Sequence, residues 1–122
     1  MRVRRLIGTA LLAAGIAAIG VGPAYAWWGF DQSFDGDADS GSFTLQAGGV
    51  TATVTATCNA PSVEVQLWEE HWDGDDEVGD DTVPCDGETY TLTYQHLDNA
   101  TYHFHFHSGV NASHVSGGIS ES

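Results

Sequence analysis

Val50-Thr51-Ala52-Thr53-Val54-Thr55-Ala56-Thr57-Cys58 alternates apolar and hydroxyl side chains without a break. A repeat of two is the period of a β-strand with one buried face, and β-branched residues suit a pleated surface. Working outward, Asn59-Ala60-Pro61-Ser62 reads as a turn into Val63-Glu64-Val65-Gln66-Leu67-Trp68, whose Val63, Val65 and Leu67 face inward. Upstream, Phe43 and Leu45 mark a strand within residues 42–46, and Gly48-Gly49 turns the chain. Downstream, Tyr90, Leu92 and Tyr94 alternate with Thr89, Thr91 and Thr93. After an Asp98-Asn99 turn, Tyr102, Phe104 and Phe106 share one face while His103, His105 and His107 share the other. A weaker strand is expected over residues 113–119, and no stretch has helical periodicity. The fold expected is all-β: a small antiparallel β-sandwich of about six strands over residues 42–122, with a small barrel as the less favoured closure.

The only Lys or Arg residues among the 122 are Arg2, Arg4 and Arg5. They precede the apolar run 6–21 and then Pro23-Ala24-Tyr25-Ala26, which has small residues where a signal peptidase needs them. Residues 1–26 are therefore expected to be a signal peptide, cleaved after Ala26, and the protein secreted and extracellular with no membrane span after cleavage. The 96 residues that follow carry all 17 carboxylates and no Lys or Arg. Such a domain is repelled by nucleic acid and by anionic membranes. Its charge favours a cationic partner, a divalent ion, or simple solubility. Cys58 and Cys85, the only cysteines, have one intramolecular pairing in an exported chain. Their disulfide closes a loop of about 28 residues, worth about 3.5 kcal/mol on the chain-entropy model. On this reading it pins a long acidic loop, residues 69–84, at both ends.

The histidine row His103, His105 and His107 is the most chemical of the motifs. Alternate residues on a strand lie about 6.6 Å apart, so two imidazoles can share an ion, whereas His103 and His107 are about 13 Å apart. A site there would need a further ligand from a neighbouring segment, and a solvent-facing polar row is the competing reading. Asp35-Gly36-Asp37-Ala38-Asp39 and Asp73-Gly74-Asp75-Asp76-Glu77 offer oxygen ligands without completing an EF-hand loop. No cofactor is required by the sequence; zinc, copper and calcium are the ions this chemistry admits. Trp27, Trp28 and Phe30 form an aromatic N-terminal segment, 27–41 in all, with an acidic tether from residue 31. Trp68 is out of phase with the inward residues, and Trp68 and Trp72 flank Glu69, Glu70 and His71. Aromatics beside carboxylates stack on sugars, form protein hot spots, or cover the end of a sandwich. The sequence has no GxSxG, no HExxH and no phosphate-cradling glycine loop. A non-catalytic protein is expected.

With its leader, Thr/Gly-rich strands and single Cys58/Cys85 pair, the chain resembles small secreted β-sandwich proteins of actinobacteria. Trp27-Trp28-Gly29-Phe30 ahead of such a sandwich resembles the adaptor subunits of umbrella toxin particles. That resemblance implies a secreted adaptor that docks through its aromatic N-terminus and joins a lectin-like subunit to a large toxin subunit. The alternatives are an extracellular metal-binding protein built on the histidine row and a carbohydrate-binding module using Trp68 and Trp72.

Overall fold

A computed structural model describes residues 28–121. The signal peptide, its cleavage site and Trp27 lie outside the described residues. Seven strands follow in order: β1 (Trp28–Phe34), β2 (Asp37–Asp39), β3 (Phe43–Leu45), β4 (Gly48–Glu69), β5 (Asp76–Leu97), β6 (Ala100–His107) and β7 (Ser113–Glu121). All pairings are antiparallel.

The fold is a β-sandwich whose two layers share one long hairpin. The first half of β4 lies between β7 and the second half of β5, and β1 extends this layer by pairing with β7. The second half of β4 lies between β6 and the first half of β5, and β2 and β3 pair with the far edge of β6. Strands β4 and β5 thus run through both layers and bend between them.

The bend shows in the burial of β4. Val50, Ala52, Val54 and Ala56 point inward in the first half, whereas Val63, Val65 and Leu67 do so in the second. The inward phase therefore shifts from even to odd across Asn59-Ala60-Pro61-Ser62. Pairing advances from Thr57 to Ser62 on β4 while β5 advances only from Asp86 to Pro84, so β4 takes the longer path around the corner as a bulged strand. Pro61 and Pro84 are tolerated there because the ladder is already interrupted. The segment expected to reverse the chain is a bend within one strand.

Cys58 and Cys85 form the disulfide at this corner. Residues 76–84, expected to be loop, belong to β5, and the connection from β4 spans only 70–75. The bridge therefore ties the two strands where they pass from one layer to the other. It does not close off a long loop.

The core lies between the layers. Phe30 of β1 crosses to Phe104 and Phe106 of β6, with ring centroids 5.7 and 5.2 Å apart. Trp28 meets Phe43 at 4.4 Å, and Tyr94 meets Phe104 at 6.4 Å. Gly117 makes room for Phe30: a Cβ there would stand 3.0 Å from the Phe30 ring and 1.8 Å from the Thr53 carbonyl oxygen.

This packing corrects the expectation for residues 28–41. Phe30 is only 9% exposed, and Asp37–Asp39 is a strand rather than part of a tether. Of the aromatics read as a free anchor, Phe30 belongs to the core and Trp28 packs against it, because β1 is an edge strand whose inward side closes the first layer. Among the described residues, no helix is long and apolar enough to cross a membrane.

Candidate functional site

The outer face of the second layer gathers the side chains singled out in the sequence. Because Tyr102, Phe104 and Phe106 face the core, the pleat turns His103, His105 and His107 outward. Register sets Asp37 opposite His107 and Asp39 opposite His105 on one side. On the other, Trp68, Gln66 and Glu64 lie opposite His103, His105 and His107. Trp68 thus faces away from the core, as its phase requires.

Each histidine of the row meets a carboxylate. His103 Nδ1 lies 2.9 Å from Glu70 Oε2, His105 Nδ1 lies 2.6 Å from Asp39 Oδ1, and His107 Nδ1 bonds Asp37 Oδ1. Ionised carboxylates only accept, so these contacts put the proton of a neutral imidazole on Nδ1 and leave a lone pair on Nε2. On the first layer, His114 Nε2 makes the same kind of contact to Asp31 at 2.6 Å. These cross-strand pairs occupy the place that Lys and Arg pairs take in other sheets, and they become ion pairs only when the histidine is protonated.

The ladder changes the meaning of the row. Its imidazoles stand on alternate positions of β6, and Asp37, which bonds His107, also lies 4.0 Å from His105 Nε2. Among the described residues, no group of three or more His, Cys, Asp or Glu is placed to hold a metal ion. The acidic segments are likewise spread out: Asp37 and Asp39 face histidines, and Asp35 Oδ1 accepts from the Ala112 amide at 2.8 Å.

Beside the ladder, the indole of Trp68 is fixed by its own strand. Its Nε1 donates to Gln66 Oε1 at 3.2 Å, and Gln66 Nε2 donates to Glu64 Oε2 at 3.2 Å. The result is a half-buried aromatic surface next to an amide, imidazoles and carboxylates. Trp72 stands apart in the 70–75 connection, 97% exposed.

Two carboxyls on this face shift in opposite directions. Ser42 Oγ donates to Glu70 Oε2 at 2.6 Å, and this bond, reinforced by His103, lowers the Glu70 pKa despite some desolvation. Glu64 is raised, first by the hydrogen bond it shares with the neighbouring Asp80 carboxyl and then by desolvation.

No family model matches the sequence, and no curated protein matches it. Nine chains of solved structures match the fold. One, described as "CBM4 structure and function" and a carbohydrate-binding module, superposes with a TM-score of 0.52 at 21% identity. The match covers 77% of this chain, which spans 61% of the length of that structure. At that identity the likeness shows the sandwich fold.

Proposed function

We propose that this is a secreted, non-catalytic carbohydrate-binding module whose glycan lies across the outer face of the second layer. The observation that carries the reading is Trp68, its indole braced by Gln66 and bordered by the imidazole of His103. A sugar ring presents an apolar C–H face to an aromatic and hydroxyls to flanking acceptors and donors, which Gln66, Glu64 and the Nε2 atoms of His103 and His105 supply. The sandwich shared with a carbohydrate-binding module supports the reading at the level of scaffold. With 17 carboxylates and no Lys or Arg between residues 28 and 121, glycans bearing carboxylate or sulfate are repelled. The ligand class is therefore neutral glycan.

Pull-down on insoluble neutral polysaccharides, followed by calorimetry with the soluble oligosaccharides of whichever is bound, tests it. Trp68→Ala is expected to weaken binding about tenfold or more, the scale of a lost aromatic contact of about 1.5 kcal/mol. Undiminished binding by that variant sinks the assignment of the site, and failure to retain any neutral polysaccharide sinks the function.

A second reading, a secreted protein adaptor, is favoured by one feature. Trp72 projects almost wholly into solvent between Glu70 and Asp73, as an interface hot spot would. In this reading the docking aromatic is Trp72 rather than Trp28 or Phe30, and a lectin-like or toxin subunit would be lost from copurification in Trp72→Ala.

A further inference from the structure

The Trp68 indole faces away from the core, and what holds it lies along its own strand. Glu64, Gln66 and Trp68 take alternate outward positions on β4, about 6.6 Å apart. Trp68 Nε1 donates to Gln66 Oε1, and Gln66 Nε2 donates to Glu64 Oε2, both at 3.2 Å. The Gln66 carboxamide is thus engaged at both ends, and the plane of the indole depends on where the Glu64 carboxyl stands. All three residues are half-buried, so these bonds are partly screened from competing water.

Glu64 has a partner of its own on the first arm of β5. There Asp80 stands opposite Gln66, Thr82 opposite Glu64 and Glu77 opposite Trp68. The Asp80 carboxyl shares a hydrogen bond with Glu64, and this bond, then desolvation, raises the Glu64 pKa. Ionised carboxylates only accept, so a hydrogen bond between two carboxyls holds one proton. From β6, His107 stands opposite Glu64 and His105 opposite Gln66, and His107 is bonded to Asp37 of β2. His107 favours the ionised form of Glu64, but it is the weakest of these influences.

We propose that Glu64 is a positioning residue for Trp68: joined to Asp80 through one shared proton, it anchors Gln66 and fixes the indole, and glycan affinity falls when that proton leaves. The inference rests on the glycan reading of this face and adds its regulation. Loss of the proton leaves two carboxylates side by side, and their repulsion drives Glu64 away from Asp80. Gln66 then loses its fixed acceptor, and the indole loses its brace. The braced form is therefore the one present at pH below the raised Glu64 value, and it is lost as pH rises through that value.

The experiment follows the Trp68 indole N–H in ¹H–¹⁵N correlation spectra of the oxidised protein from about pH 4 to about pH 8, spanning the carboxyl and imidazole ranges. The signal is assigned by its absence in Trp68→Ala. In wild type it is expected to move with Glu64 and to exchange faster with water on the alkaline side. Glu64→Gln imitates the protonated residue, since its carbonyl accepts from Gln66 and its amide donates to Asp80. In that variant the signal is expected to keep its acid-form position across the range. Gln66→Leu removes the link, and the signal should take the position of an unbonded indole at every pH.

Calorimetry with the oligosaccharide of the retained polysaccharide gives the second readout. Wild type is expected to bind about fivefold more weakly on the alkaline side, the scale of one lost hydrogen bond, and Gln66→Leu to bind that weakly throughout. Glu64→Gln should bind at both ends of the range as wild type does in acid. The histidines opposite are the same in every variant, so a step in the indole signal that persists unchanged in Glu64→Gln belongs to them and overturns the proposal. An indole that does not titrate overturns it as well. Glycan binding lost in Trp68→Ala yet indifferent to Gln66→Leu and Glu64→Gln defeats the positioning role alone. Failure to bind any neutral polysaccharide defeats the glycan reading and the affinity it regulates, while the indole titration still judges the brace.

Discussion

Phe30→Ala tests the placement of β1 directly. The ring is 9% exposed, with centroids 5.2 Å from Phe106, 5.7 Å from Phe104 and 5.9 Å from Trp28. It occupies space that Gly117 leaves open on the neighbouring strand. Truncation removes its transfer free energy and leaves a void whose walls are strands already fixed by their ladders. Substitutions of this kind cost about 3–5 kcal/mol. A domain of this size has a total stability of about 5–15 kcal/mol, and each kcal/mol lost lowers its melting temperature by about 4–8 °C. Phe30→Ala should therefore melt on the order of 15–30 °C below wild type. Near-UV circular dichroism of oxidised protein would report the loss of aromatic packing. A decrease of less than about 3 °C with an unchanged near-UV spectrum would refute the argument and return residues 28–34 to the status of a detachable segment.

Gly117→Val should be more damaging than its surface position in sequence suggests. A Cβ there meets the Thr53 backbone at 1.8 Å, whereas one at Gly41 meets nothing within 4 Å; Gly41→Val is the control, and the difference is read as soluble yield and denaturation midpoint. Replacing Cys58 and Cys85 by serine should cost about 3.5 kcal/mol in urea or guanidinium titration, from the loop they close. The two shifted carboxyls of the binding face should act with opposite sign in pH–stability profiles. Glu70, lowered by Ser42 and His103, contributes stability that is present above its ordinary value of 4.5 and is lost as pH falls through the depressed value. Glu70→Gln should therefore reduce the acid-limb slope. Glu64, raised by Asp80, is penalised when charged, so Glu64→Gln should stabilise at pH 7, with the gain fading as pH falls below its raised value.

How far the fold was legible depended on whether a strand had one simply patterned face. β6 and both halves of β4 announced themselves, because a full row of apolar side chains alternates there with threonine, glutamate or histidine. β1 did not, since its inward positions Phe30 and Phe34 are separated by the polar Gln32 and its partner β7 comes from the other end of the described chain. The first arm of β5 was hidden for a different reason. Exposed edge strands carry charge that discourages further pairing, so Asp76-Glu77-Val78-Gly79-Asp80-Asp81 looks like a loop by composition. Asn59-Ala60-Pro61-Ser62 has the residues of a reversal, yet only the phase change from Ala56 to Val63 distinguishes a bend between layers from a turn. At the site, the outward direction of Trp68 and of the histidines followed from the pleat. Their acidic partners did not, because register is a tertiary fact. One signal was available: Asp37-Ala38-Asp39 has the same period of two as the histidines it faces.

The pairing of β1 with β7 has a consequence for how this domain can form. Trp28 stands opposite Ile119 in the ladder, so β1 has nowhere to dock until β7, about 80 residues later, has followed. The β4–β5 hairpin can assemble early and locally, but the layer it nucleates stays unsealed, with Phe30 outside it, until β7 has joined. Long-range closure of this kind slows folding. Completion of the layer is thereby coupled to the arrival of β7, and the domain keeps an unsealed, threadable form for as long as that strand is withheld.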